Sequence, residues 1–126
     1  MKILIINHSP LIGSGSGIYT MNIAKALRKK GNDIRVITAA NSLEFPDMGD
    51  IKIRPIFFKY KDNIDGQREF CVPCFDQYPT SDLVFYDMSE TQLNKYKNRF
   101  REVLEKEIEN FKPDIIHTQH IWIWSS

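Results

Sequence analysis

The sequence predicts an α/β fold: a Rossmann-like, doubly wound parallel sheet. Three stretches carry that expectation. Ile3-Leu4-Ile5-Ile6 is too short for a helix and apolar on both faces, the pattern of a central strand covered by helices on each side. The glycine-rich bend Gly13-Ser14-Gly15-Ser16-Gly17 and an amphipathic segment follow it. A second apolar run at residues 34–38 then closes a strand–helix–strand unit. The bend falls at the carboxyl end of the first strand, where ligands bind in open α/β sheets.

From Ile18 the period becomes helical, with Thr20, Ile23, Ala24 and Leu27 on one face. Arg28, Lys29 and Lys30 suit the negative end of the helix dipole, and Gly31 stands where a left-handed C-cap glycine belongs. Residues 41–50 carry Asn, Ser, Pro, Asp and Gly and read as a loop. Ile51, Ile53 and Ile56-Phe57-Phe58 predict a third strand. Residues 59–89 hold no period; they are an irregular insertion covering an apolar edge or a segment that contacts substrate.

Ser89 reads as an N-cap, with Gln92 completing a capping box. Behind it Leu93, Tyr96, Phe100, Val103, Leu104, Ile108 and Phe111 recur at three- and four-residue steps as one apolar stripe. Lys95, Lys97, Arg99 and Arg101 with Glu102, Glu105, Glu107 and Glu109 read as a solvated, ion-paired face. Pro113 ends the helix, and Asp114-Ile115-Ile116-His117 begins a fourth strand. No covering helix follows that strand, and Ile121-Trp122-Ile123-Trp124 has little to pack against. The chain is therefore expected to be the front part of something longer.

Composition narrows the function. A chain of 126 residues suits one domain, and a net charge of +1 provides no field to attract nucleic acid. No run is long enough to span a membrane and no signal peptide is visible, so a cytoplasmic protein is expected. Cys71 and Cys74 form a C-x-x-C pair with Pro73 inside it, which is loop chemistry. A redox dithiol normally opens a helix and a zinc site needs further ligands, so the pair reads as two free thiols.

The glycine bend does not satisfy the dinucleotide fingerprint. Ile18 or Thr20 stands where the third glycine belongs, and the second strand closes on Thr38-Ala39-Ala40 without an acidic ribose ligand. No Gly-Lys-Ser/Thr follows, which excludes a P-loop. What remains is an anion- or hydroxyl-binding helix N-terminus, or a turn that uses glycine for its backbone freedom. A second polar cluster, His117-Thr118-Gln119-His120, ends the fourth strand. Alternation sends His117 and His120 to opposite faces, which disfavours a zinc pair. Gln119 and His120 could orient a sugar or act in proton transfer, or simply end the strand.

Gly17-Ile18-Tyr19 followed by residues 23–38 resembles the opening of glycosyltransferase family 4, with its glycine loop and "L-A-x-A-L-x-x-x-G-H-x-V-x-V-x-T" pattern. Residues 111–120 look like the same family's "P-D-V-V-H-x-H" strand. The resemblance covers both ends of the chain and not residues 59–89. It implies the N-terminal half of a GT-B fold, truncated here, from a retaining transferase that moves a sugar from a nucleotide-sugar donor. Residues 1–126 would be the acceptor-side domain, with the donor-binding C-terminal domain absent and the chain inactive alone. The implied acceptor is a sugar or glycolipid, and the implied whole enzyme allows peripheral membrane association.

No metal and no cofactor is expected, the nucleotide sugar being the donor substrate. The resemblance places Gly13, Gly15, Ser16, Gly17 and His117 at the substrate and His120 or Gln119 at the chemistry. Ser16 stands where a paired glycine is common, Asn32 replaces a histidine, and Gln119 takes the position of the second histidine, with His120 the candidate substitute. Other readings are a nucleotide-sugar epimerase or another Rossmann-type enzyme, and a non-catalytic sugar- or phosphate-binding module.

Overall fold

The computed structural model describes residues 1–41, 43–58 and 87–119. Six elements follow one another: strand β1 (Lys2–Asn7), helix α1 (Gly15–Lys29), strand β2 (Asp33–Ala40), strand β3 (Lys52–Phe57), helix α2 (Glu90–Phe111) and strand β4 (Ile115–Thr118). The strands form one parallel sheet in the order β3-β2-β1-β4. The path runs outward from β1 to β3 and then crosses back to β4, so right-handed crossovers place α1 and α2 on opposite faces. This is the doubly wound, Rossmann-like α/β architecture. Cys71, Cys74, His120 and the apolar tail at 121–124 lie outside the described residues, as do residues 59–86 of the segment without a period.

Two apolar clusters sandwich the sheet. On one face Ile3 and Ile5 of β1 with Ile34 and Val36 of β2 pack against Ala24, Leu11, Met48 and Ile51. On the other, Leu4, Ile6, Ile37, Ala39, Ile56 and Phe58 pack against Tyr96, Phe100 and Phe111 of α2. Strict alternation along β1 and β2 assigns odd and even residues to different faces. No helix is described between β2 and β3; Met48 and Ile51 of that connection fill the α1 face instead.

Helix α2 starts as its sequence dictates. The Ser89 hydroxyl accepts from the Gln92 backbone N–H and the Gln92 side chain accepts from the Ser89 N–H, a complete capping box. At its other end Lys112 adopts φ 52°, and Pro113 forbids a further turn. The solvated-face expectation fails at one position. Glu107 is buried, while Ile108 of the expected stripe is exposed. Arg35 of β2 donates to Glu107 at 2.9 Å, and Arg54 of β3 approaches it at 2.9 Å without the alignment of a hydrogen bond. Arg35 also stacks on Phe111, 4.5 Å from the ring centroid. A carboxylate that bridges arginines on two strands can be buried, whereas its neighbours Glu105 and Glu109, with no such partners among the described residues, stay in water.

Helix α1 ends in a Schellman arrangement: Gly31 N–H reaches the Arg28 carbonyl and Asn32 N–H the Leu27 carbonyl, with Gly31 at φ 92°. Arg28 then grips Asp50, ahead of β3, through bonds of 2.6–3.0 Å. That hydrogen bond lowers the Asp50 carboxyl below its ordinary range and raises the Arg28 guanidinium. Both groups are exposed, so the pair adds little to stability.

The start of α1 corrects the sequence reading. Gly15, Ser16 and Gly17 are its first turn, not part of a loop, and Ser14 is the N-cap. Glycine is a poor helix former, yet at Gly17 only glycine fits. A Cβ there would lie 2.4 Å from the carbonyl oxygens of both Pro10 and Leu11. At Gly15 a Cβ would meet nothing within 4 Å. Two substitutions of the same kind therefore have opposite signs. Gly17→Ala should cost roughly 1–3 kcal/mol, the scale of overpacking, despite the helical preference of alanine. Gly15→Ala should gain about 0.4–1 kcal/mol by restricting the unfolded chain. Equal effects in denaturant unfolding would refute the close-approach account.

Candidate functional site

The carboxyl ends of the four strands gather the polar residues. In register, Asn7 of β1 stands beside Thr38 of β2. On the other side of β1, Gln119 follows one step beyond the Ile6–Thr118 pair, and its N–H donates to the Ile6 carbonyl at 3.0 Å. Thr38, Asn7 and Gln119 thus form a row across β2, β1 and β4 on the face that carries α1. His117 lies on the same face, in register with Ile5.

The first part of this site is a lock on the loop after β1. Asn7 and Thr38 are both fully buried. The Ser9 carbonyl accepts from Asn7 Nδ2 at 2.6 Å and from Thr38 Oγ1 at 2.9 Å. The Pro10 carbonyl accepts from the Ser14 hydroxyl at 2.6 Å. The same hydroxyl accepts from Gly17 N–H at 2.9 Å, so it both caps α1 and holds the loop to it. Gly13 takes φ 83°, a left-handed turn that glycine makes without strain. His8, also buried, belongs to this loop.

The second part is the end of β4. Gln119 Nε2 lies 3.3 Å from His117 Nε2. The two side chains are within hydrogen-bonding distance, with the donor set by the ring's tautomer. The third part is the N-terminus of α1. Because Ser14 satisfies Gly17, the N–H groups of Gly15 and Ser16 have no acceptor within the helix. Beside them Ile12, Ile18 and Tyr19 are exposed, an apolar rim next to polar groups. The Gln119 amide, the His117 imidazole, helix N–H groups without an intrahelical acceptor and apolar surface together suit neutral, hydroxyl-rich ligands or an anion. Among the described residues no group of His, Cys, Asp and Glu could hold a metal ion, and no helix is long and apolar enough to cross a membrane.

Gln119, His117, Gly13, Gly15 and Ser16 accordingly sit at one end of the sheet, as the sequence suggests. Gly17 is also there, but it is buried and its contacts are with the chain's own backbone. The candidate His120 lies outside the described residues. Sequence reasoning passed over Asn7, His8 and Thr38. Their signal was available: polar residues directly at the carboxyl end of an apolar parallel strand.

The fold is that of a Rossmann-like α/β domain, with polar residues gathered at the carboxyl ends of its strands. More particularly, the chain is similar to part of a sucrose-phosphate synthase from Thermosynechococcus elongatus, with a TM-score of 0.57 and 16% identity. The likeness covers 99% of this chain and 29% of that one, so this chain spans less than a third of the synthase. No protein-family model matches the sequence, and no curated protein is significantly similar to it.

The lock makes a specific prediction. Thr38→Val keeps the shape and removes one of the two bonds to the Ser9 carbonyl, at a cost of about 1 kcal/mol. Amide exchange in residues 8–14 should accelerate, while the paired amides of β1 and β2 keep their protection. Unchanged exchange in the loop would show that it is held by other means.

Proposed function

We propose that this chain is the acceptor-side, N-terminal part of a retaining glycosyltransferase of family 4 type that uses a nucleotide-sugar donor. The observation that carries the reading is the fold likeness to a segment of a sucrose-phosphate synthase, a GT-B glycosyltransferase. Gln119 and His117 at the end of β4, with the N–H groups at the start of α1, support it, since an amide and an imidazole suit sugar hydroxyls. The two family-like sequence stretches at residues 17–38 and 111–120 add to this.

In this reading the donor-binding domain lies beyond the chain. The acceptor hydroxyl oxygen bonds to the anomeric carbon as the bond from that carbon to the donor phosphate breaks, and the hydroxyl proton leaves with the departing phosphate. Positive charge develops on the sugar ring, and a nearby polar side chain or carbonyl stabilises it. Gln119 or His120 fills that role, with His117 and the first turn of α1 orienting the acceptor.

The test uses the full-length protein with a panel of nucleotide sugars and sugar or glycolipid acceptors. Transfer with retained anomeric configuration is expected, and none from this 126-residue chain alone. His120→Ala should cut turnover roughly a hundredfold without unfolding the protein. If Gln119→Ala does so instead, the role belongs to Gln119. Nucleotide release by the isolated chain, or no transfer by the whole protein, contradicts the proposal.

A further inference from the structure

We infer that one ordered water is built into the joint between β1 and α1, bound by Asn7 Oδ1 and Thr20 Oγ1. Both residues are 0% exposed, and among the described residues neither of these oxygens has a hydrogen-bond partner. Buried polar atoms are nearly always paired with protein or with ordered water. Two unpaired ones on facing surfaces of a single joint therefore point to a shared partner.

Their placement follows from the contacts on either side. The buried stripe of α1 is Gly17, Thr20 and Ala24. Gly17 lies against the Pro10 and Leu11 carbonyls, just past the end of β1. Ala24 packs in the cluster that holds Ile3 and Ile5. Thr20, between the two on one stripe, consequently faces the sheet over β1 and β2, between the levels of Ile5 and Pro10. Asn7 occupies that stretch, and its register with Thr38 sets it on the α1 face.

The chemistry selects water. Asn7 Oδ1 can only accept, whereas a threonine hydroxyl both donates and accepts. Water can donate to the first and either donate to or accept from the second. The site has a structural consequence. Asn7 Nδ2 holds the Ser9 carbonyl, so a water on Oδ1 fixes the orientation of that amide and links α1 to the loop lock.

The experiment is a crystal structure of the whole protein that resolves ordered water, paired with amide exchange of Thr20→Val. One water within about 3.2 Å of both oxygens is expected. Thr20→Val removes one of its ligands, and protection of the Ile6 and Asn7 amides should fall several-fold. A hydroxyl that is merely buried and unbonded predicts the opposite sign, because valine would relieve an unmet polar group and protection would rise. That rise overturns the inference. So does a structure in which the Thr20 hydroxyl bonds to the Ser16 carbonyl and no water touches Asn7 Oδ1.

Discussion

The backbone of Pro10 and Leu11 lies against Gly17, and the candidate site at the carboxyl end of the sheet depends on that contact. With any side chain at position 17, the first turn of α1 would have to retreat from the loop after β1. Ser14 could then no longer bond both the Pro10 carbonyl and the Gly17 N–H. The loop is gripped from the sheet as well, since Asn7 and Thr38 converge on the Ser9 carbonyl. A stretch with three glycines and two serines would otherwise have ample freedom. Here it is tied at Ser9, Pro10 and Ser14, and the start of α1 is set beside the ends of β1 and β4.

The opposite end of the sheet has a different character. Asp114 N–H reaches the Lys2 carbonyl and its carboxylate accepts from Lys2 N–H, joining the starts of β4 and β1. Arg35, Glu107, Arg54 and Phe111 tie α2 to β2 and β3 there. These charges pair with one another, whereas among the described residues the row Thr38, Asn7 and Gln119 at the carboxyl ends is neutral. This division of labour, ion pairs at the bottom and neutral polar groups at the top, is why the ligand site is assigned to the top.

Much of the architecture was legible. Ile3-Leu4-Ile5-Ile6 announced a doubly covered strand because both of its faces had to be apolar. Ser89 with Gln92, and Gly31 after a basic turn, marked helix ends through local chemistry that needs no tertiary context. The misreadings were long-range effects. Gly15 to Gly17 read as loop because glycine disfavours helix, and nothing nearby in sequence revealed the Pro10–Leu11 backbone against it. Glu107 looked like its solvated neighbours because its partners are on β2 and β3, far off in sequence. The site divides in the same way. Gln119 and His117 stood out as polar residues closing an apolar strand, but the Thr38–Asn7–Gln119 row exists only once three strands pair in register.

The central claim is that sugar substrates meet this chain at the carboxyl ends of β1 and β4, next to the start of α1. A crystal structure of the full-length protein with an acceptor sugar and a nucleotide bound tests it most directly. The account predicts ligand hydroxyls within hydrogen-bond distance of Gln119, His117 or the Gly15 and Ser16 N–H groups, with the β1–α1 loop unmoved. A ligand seated instead at the amino ends of the strands, around Arg35, Arg54 and Glu107, would contradict it.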